Sequence, residues 1–139
     1  MKAFNKILRS LSPMWLTFVA YLILFYRGLG VNIEFWSVIS HFLGGAATAW
    51  SFWLLACNFH SYFNLKIESS LIFSLFLVSI TALVGVLWEF WEWSVDFYFS
   101  LGFLGDVNDT LFDLFMDLVG SIAFISYLAC VDRLTILSK

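Results

Sequence analysis

Long apolar stretches are the feature of this sequence that most restricts what it can fold into. Four of them, at about residues 13–29, 38–57, 71–91 and 111–131, are close to the roughly 20 residues with which an α-helix crosses a bilayer. With short connections they account for nearly all of the 139 residues. The sequence therefore predicts an all-α, polytopic integral membrane bundle of four transmembrane helices, forming a single transmembrane domain over residues 1–139.

Composition excludes the other broad classes of protein. Apolar residue types make up 62% of the chain and charged types 12%, whereas a soluble domain is about half apolar and a quarter charged. The net charge of −3 leaves no basic surface for nucleic acid, so no nucleic-acid partner is expected.

A short basic amphipathic helix is predicted before the first span. Lys2, Lys6 and Arg9 share one helical face of residues 1–12, and apolar side chains share the other. This pattern predicts a helix that lies at the membrane surface. A signal peptide is the alternative, but no small-residue cleavage site follows the apolar stretch.

Basic residues define the expected orientation. With four spans, six of the seven Lys and Arg residues fall on one side of the membrane, and Arg27 falls on the other. Lys and Arg concentrate on the cytoplasmic side of membrane proteins. We therefore expect both termini in the cytoplasm, with the first and third connections facing outward.

Carboxylates are concentrated near the outward ends of the last two spans. Seven of the ten Asp and Glu residues lie between residues 89 and 117, a stretch without Lys or Arg. Spacings of three and four place those of residues 89–96 on one helix face and those of residues 109–117 on another. An ionised Asp inside the membrane costs about 2.5–3.5 kcal/mol, so Asp113 and Asp117 need a metal, a proton, a water-filled cavity or a partner.

The second span carries a further polar stripe at its outward end. His41 shares this stripe with Gly44 and Gly45, and glycines at such spacing let another helix approach closely. Because three helix faces meet at one depth, we expect His41, Glu89 and Asp113 to converge on one polar pocket. Their side-chain ends are predicted to lie within roughly 10 Å of one another, which is the reach of a metal ion together with its first and second coordination shells.

These residue types predict a site for a divalent cation. Carboxylate oxygens suit Mg²⁺, Ca²⁺ or Mn²⁺, and one imidazole among them moves the preference toward Mn²⁺, Fe²⁺ or Zn²⁺. Mg, Mn and Zn are therefore the candidate cofactors. The candidate metal ligands are His41, Glu89, Glu92, Asp109, Asp113 and Asp117. His41 and Glu89 are also the candidate catalytic residues.

Simpler roles stay open for several of these side chains. Asp109 is placed to cap a helix N-terminus, a role compatible with ligation, and Asp106 is suited to an Asx-turn. Glu92 could be solvated at the interface. A lone His41 would more often be a packed or capping histidine.

Three sequence blocks carry a resemblance to a known family: SHFLGGA at 40–46, WEFWEW at 88–93 and GDVNDTLFDLFMDLVGS at 105–121. They resemble the YjdF-like bacterial inner-membrane proteins, which are distantly similar to the VanZ-like family. The resemblance covers roughly residues 38–125. It implies a multi-pass protein of the bacterial inner membrane, and VanZ-like membership implies a link to glycopeptide resistance and the cell envelope.

Three classes of function fit such a site. The first is a cell-envelope or lipid-related activity in which the cation polarises a phosphoryl oxygen or activates a water; whether the chain is an enzyme stays open. The second is a proton or cation transport component, for which four spans would need an oligomer. The third is a non-catalytic accessory subunit of a membrane complex. Membrane lipids and a lipid-linked or envelope substrate are the expected partners.

Overall fold

The computed structural model describes residues 2–26, 33–63, 69–101 and 105–134. These residues form α-helices and no strand, so the prediction of an all-α fold is confirmed for them. The helices are α1 (Lys2–Ser10), α2 (Ser12–Tyr26), α3 (Ile33–Phe63), α4 (Ser70–Phe99) and α5 (Val107–Cys130). Arg27, Lys66 and the last three residues of the predicted first span lie outside the described residues.

Three of the helices, α3, α4 and α5, are long and apolar enough to cross a membrane. The α1 and α2 helices pass the same test only together, as a pair bent by 53°. Alone, α2 has 15 residues and extends about 22 Å, which is less than the ~30 Å of a hydrocarbon core. Length and composition thus support three spans, and a fourth if the bent pair is one span.

The α3 and α4 helices continue beyond the predicted spans. They contain 31 and 30 residues, whereas the apolar stretches suggested 38–57 and 71–91. The α4 helix passes Glu92 and Asp96 before Ser100 ends it in the left-handed conformation, with φ 52° and its N–H donating to the Asp96 carbonyl. Hydropathy falls at such charged residues although the helix continues. A span predicted from hydropathy therefore ends before the helix does.

The helices alternate in direction, and α3 and α5 run parallel. Ser37 contacts Asp113, and His41, four residues later on α3, contacts Asp117, four residues later on α5. Because the contacts advance in the same direction along both helices, α3 and α5 are parallel. The α4 helix packs against both of them and runs in the opposite direction, because its Glu89 lies beside His41 near the start of α3, whereas its earlier residue Thr81 contacts Ser121 further along α5. Because of this alternation, α3 and α5 begin at the end of the bundle where α4 ends. We call this end the acidic end.

A glycine pair sets the close approach of α3 and α5. A Cβ atom at Gly45 would overlap the Asp117 carbonyl oxygen, and one at Gly120 would overlap the Phe42 carbonyl oxygen. The two backbones therefore touch directly, as small residues allow in membrane helices. The prediction that glycine beside His41 permits close helix approach is confirmed at Gly45.

The outer surface of the bundle is apolar, and its interior is partly polar. On α4, Leu71, Leu75 and Leu83 are each more than half exposed. In water such a surface would mark an interface or an aggregation site, whereas in a bilayer it faces lipid. The interior instead buries hydroxyl groups, such as those of Thr81 and Ser121, and the acidic side chains described next.

Candidate functional site

His41, Glu89 and Asp113 meet at the acidic end from three different helices. One ligand atom of each lies within 4.8 Å of the other two. His41 Nε2 is 3.4 Å from Asp113 Oδ2 and 4.0 Å from Glu89 Oε1. The three residues are 5%, 3% and 9% exposed, in the order His41, Asp113, Glu89. The predicted convergence of these side chains is confirmed, and their roles as ligands and catalytic groups stay predictions.

Asp117 occupies the other side of the same imidazole. Its Oδ2 is 3.4 Å from His41 Nδ1, so both ring nitrogens face carboxylates. Space for this carboxylate comes from α4, because a Cβ at Gly85 would lie only 2.5 Å from Asp117 Oδ2. The imidazole is therefore fixed between α4 and α5 rather than free to turn.

With all three neighbouring carboxylates ionised, the charges around His41 do not balance. Three carboxylates, those of Glu89, Asp113 and Asp117, surround one imidazole, and among the described residues their ion pairs are all with His41. Even a protonated imidazole offsets only one of these negative charges. A doubly charged cation would offset two while the imidazole stays neutral, as metal ligation requires.

One oxygen of the cluster has no hydrogen-bond partner among the described residues. Glu89 Oε1 is inaccessible to solvent and accepts no hydrogen bond from them. Asp113, in contrast, accepts a hydrogen bond from the Ser37 hydroxyl, whose single proton is shared between Oδ1 at 3.1 Å and Oδ2 at 3.0 Å. Leaving a buried polar atom unpaired costs about 1–3 kcal/mol, and more for a charged group. This oxygen lies 4.0 Å from His41 Nε2, where a cation would satisfy it.

Glu92 lies beside this group and has partners of its own. Its Oε1 accepts a hydrogen bond of 2.8 Å from the Tyr21 hydroxyl and another of 2.8 Å from Trp88 Nε1. The side chain is buried, so the alternative that it is solvated at the interface is wrong. Glu92 connects α2 to α4, and its predicted role as a metal ligand stays a prediction.

The first turn of α5 differs from the expectation for Asp109. The N-cap is Asp106, whose Oδ1 accepts hydrogen bonds from the backbone N–H groups of Asn108 at 2.8 Å and Asp109 at 2.9 Å. The Asx-turn role of Asp106 is confirmed, and the capping role of Asp109 is wrong. The Asp109 carboxylate lies against Gly105, outside the group of three. Its role as a ligand stays a prediction.

Sequence reasoning missed the hydroxyl and indole donors of the site. Ser37 stands four residues before His41, and Trp88 stands four before Glu92, so helical spacing could have found both. Tyr21 had no such signal, since it reaches Glu92 across 71 residues of sequence.

A cavity of about 310 Å³ lies next to the cluster, between α2, α3 and α4. His41 and Asp117 form part of its wall near the acidic end, and Thr48 and Thr81 lie at its deeper end. Most of the remaining lining is apolar or aromatic.

Apolar spanning helices around a buried cluster of His, Asp and Glu define a multi-pass integral membrane protein. A family model described as a predicted membrane protein (DUF2238) matches residues 7–133. The chain belongs to the DUF2238 family, which is consistent with the YjdF-like resemblance. No curated protein and no solved structure matches the chain significantly.

Proposed function

We propose that this protein is a four-span membrane protein that binds one divalent cation through His41, Glu89 and Asp113, in a cell-envelope or lipid-related role. The observation that carries the proposal is the meeting of three buried ligand atoms within 4.8 Å, from three helices. The cell-envelope part rests on the resemblance to YjdF-like proteins, which are distantly similar to the VanZ-like family. A lipid-linked or envelope molecule is the proposed substrate.

The contacts of the bent α1–α2 pair support a fourth span. Asn58 near the end of α3 donates a 2.9 Å hydrogen bond to Ser10, and the N–H of Met14 donates to the Ser51 hydroxyl at 3.2 Å. Further along, Tyr21 reaches Glu92 at the acidic end. The pair therefore follows α3 from one end of the bundle to the other.

The donor set favours a transition metal or zinc. One imidazole nitrogen with two carboxylate oxygens suits Mn²⁺ or Zn²⁺, and Mg²⁺ is the third candidate. Three protein ligands leave coordination positions for water or substrate. A cation there would polarise a phosphoryl oxygen or lower the pKa of a bound water. Asp117, on the second ring nitrogen, is then a positioning residue that orients His41, as outer carboxylates do for metal-bound histidines.

A proton or cation transport component is the second candidate. The Thr81 and Ser121 hydroxyls, 3.3 Å apart, extend the polar interior away from the acidic end. Against this candidate, the buried carboxylates and the buried imidazole of the described residues all lie at the acidic end. The third candidate, an accessory subunit with a purely structural cluster, does not explain why Glu89 Oε1 is buried without a hydrogen bond from the described residues.

Elemental analysis tests the metal proposal. Protein purified in detergent through a tag without histidine is expected to contain a stoichiometric divalent cation after incubation with Mg²⁺, Mn²⁺ and Zn²⁺ and removal of free metal. The His41→Gln variant is expected to lose it, because an amide replaces the imidazole ligand. His60 is the matched control, since it lies 19 residues further along α3, about 28 Å away, so His60→Gln should keep the metal. A wild-type protein without metal contradicts the proposal.

The proposed topology places both termini in the cytoplasm of a bacterium and the acidic end outside. In a protein whose native cysteines are replaced by alanine, a membrane-impermeant maleimide added to whole cells should label Leu101→Cys. The same reagent should not label Ser70→Cys, which becomes reactive only after the cells are opened. Both positions are exposed at opposite ends of α4, so they form a matched pair. The reverse labelling pattern would overturn the orientation.

A further inference from the structure

We infer that the cavity between α2, α3 and α4 holds a hydrocarbon chain of a membrane lipid, with the lipid head group at the His41 end. This inference rests on the proposed function, because a cation bound at His41 would hold the head group. The cavity itself is defined independently of any cation, by its about 310 Å³ of space and its lining.

The cavity is elongated along the helices. Its lining extends from Ser40 to Thr48 on α3 and from Thr81 to Trp91 on α4. At 1.5 Å per residue these distances are about 12 Å and about 15 Å. The long direction of the cavity is therefore parallel to the spanning helices, which is also the direction of lipid chains in a bilayer.

The polarity of the lining matches an amphiphile. Two ionisable lining residues, His41 and Asp117, lie toward the acidic end. The remaining wall is dominated by apolar and aromatic side chains, including Phe18, Val84 and Leu87. Binding sites of this type are mostly apolar, with a few polar groups that fix the orientation of the ligand. A ligand with one polar end and one apolar chain fits both parts.

The opening for such a ligand lies between α2 and α4. No pair of Cα atoms in the described parts of these two helices comes within 8 Å. Aromatic side chains bridge the gap instead: the ring centroids are 5.4 Å apart for Phe18 and Trp88, and 5.1 Å apart for Tyr21 and Trp88. Two lining residues, Trp15 and Leu87, are 50% and 58% exposed, so the cavity reaches the apolar outer surface of the bundle, where lipid is the ligand present.

Photocrosslinking tests the inference on the full chain. The protein is reconstituted in vesicles that contain phosphatidylglycerol with a diazirine near the end of one acyl chain, irradiated, digested and analysed by mass spectrometry. We expect adducts on Thr48 or Thr81, which are 3% and 1% exposed and lie out of reach of lipid around the bundle. Exposed residues such as Leu83 will be labelled in any case and serve as the internal standard.

A matched pair of variants tests whether the adducts come from lipid inside the cavity. Val84 lines the cavity, whereas Val86, two residues along α4, is 40% exposed and does not. Val84→Trp is expected to reduce the Thr48 and Thr81 adducts several-fold relative to Leu83, and Val86→Trp is expected to leave them unchanged. Absence of these adducts in the wild type, or equal yields in the two variants, would overturn the inference.

The metal content of the same samples separates this inference from the proposed function. Adducts in a protein without metal would support the lipid site and contradict the proposed cation site. Bound metal without adducts would support the proposed cation site and contradict the lipid site.

Discussion

Asp113→Asn protein is expected to lose the bound cation and to unfold at a lower temperature than the wild type. The amide keeps the shape of the side chain, and its oxygen can still accept the hydrogen bond from Ser37, but one ligand charge is gone. A cation at 100 times its Kd stabilises the native state by about 2.7 kcal/mol. The variant should lose most of that stabilisation when Mn²⁺ or Zn²⁺ is present. Thermal unfolding in detergent, with and without chelator, measures it.

Asp132→Asn is the control for Asp113→Asn. Asp132 is exposed and follows the end of α5, at the opposite end of the helix from Asp113. The same change of Asp to Asn there should leave both metal content and chelator sensitivity as in the wild type. If the cluster instead holds protons and no metal, Asp113→Asn should be as stable as the wild type or more stable, because one of several facing carboxylates is removed. That result, with no metal in the wild type, would refute the cation.

The convergence of the site could be predicted because it depends on two properties of the chain alone. Helical spacing places the carboxylates of α5 on one face, and alternating spans bring the start of α3, the end of α4 and the start of α5 to the same side. His41, Glu89 and Asp113 then have the same depth. The glycines beside His41 further indicated a close helix neighbour, and Gly45 has one in α5.

The partners of each side chain could not be predicted, because they depend on how each helix is rotated about its axis. Glu92 is only three residues from Glu89, yet it turns toward α2 and bonds to Tyr21. The cavity could not be predicted either, because it results from a gap between α2 and α4 that no local sequence pattern indicates. The prediction of Asp109 as the N-cap failed for a different reason. Asp106 accepts the hydrogen bonds of the first backbone N–H groups, so α5 begins three residues earlier.

Helix packing and site geometry depend on the same contact between α3 and α5. Asp117 presents its backbone to Gly45 and its carboxylate to His41. Asp113, one turn earlier on α5, reaches the same imidazole. Any change that separates α3 from α5 must therefore also draw two carboxylates away from His41. Stability and cation binding should fall together when this contact is disturbed.

Gly45→Ala is expected to have this double effect although it adds a single methyl group. The new Cβ would overlap the Asp117 carbonyl oxygen and lie 2.7 Å from its Cα. These are backbone atoms, so no flexible side chain can turn aside, and α5 itself has to move. Overpacking of this kind costs about 1–3 kcal/mol and occasionally more. We expect a lower unfolding temperature together with weaker cation binding.

Gly44→Ala provides the matched control for this prediction, on the neighbouring residue of the same helix. Its Cβ would lie 3.8 Å from Asp117 Oδ1, an ordinary contact. Because alanine is a better helix former than glycine by up to ~1 kcal/mol, this variant should be as stable as the wild type or more stable. Unfolding temperature and metal content are measured for both variants side by side. If Gly45→Ala behaves like Gly44→Ala, the contact between α3 and α5 is not the one described, and the placement of Asp113 and Asp117 around His41 fails with it.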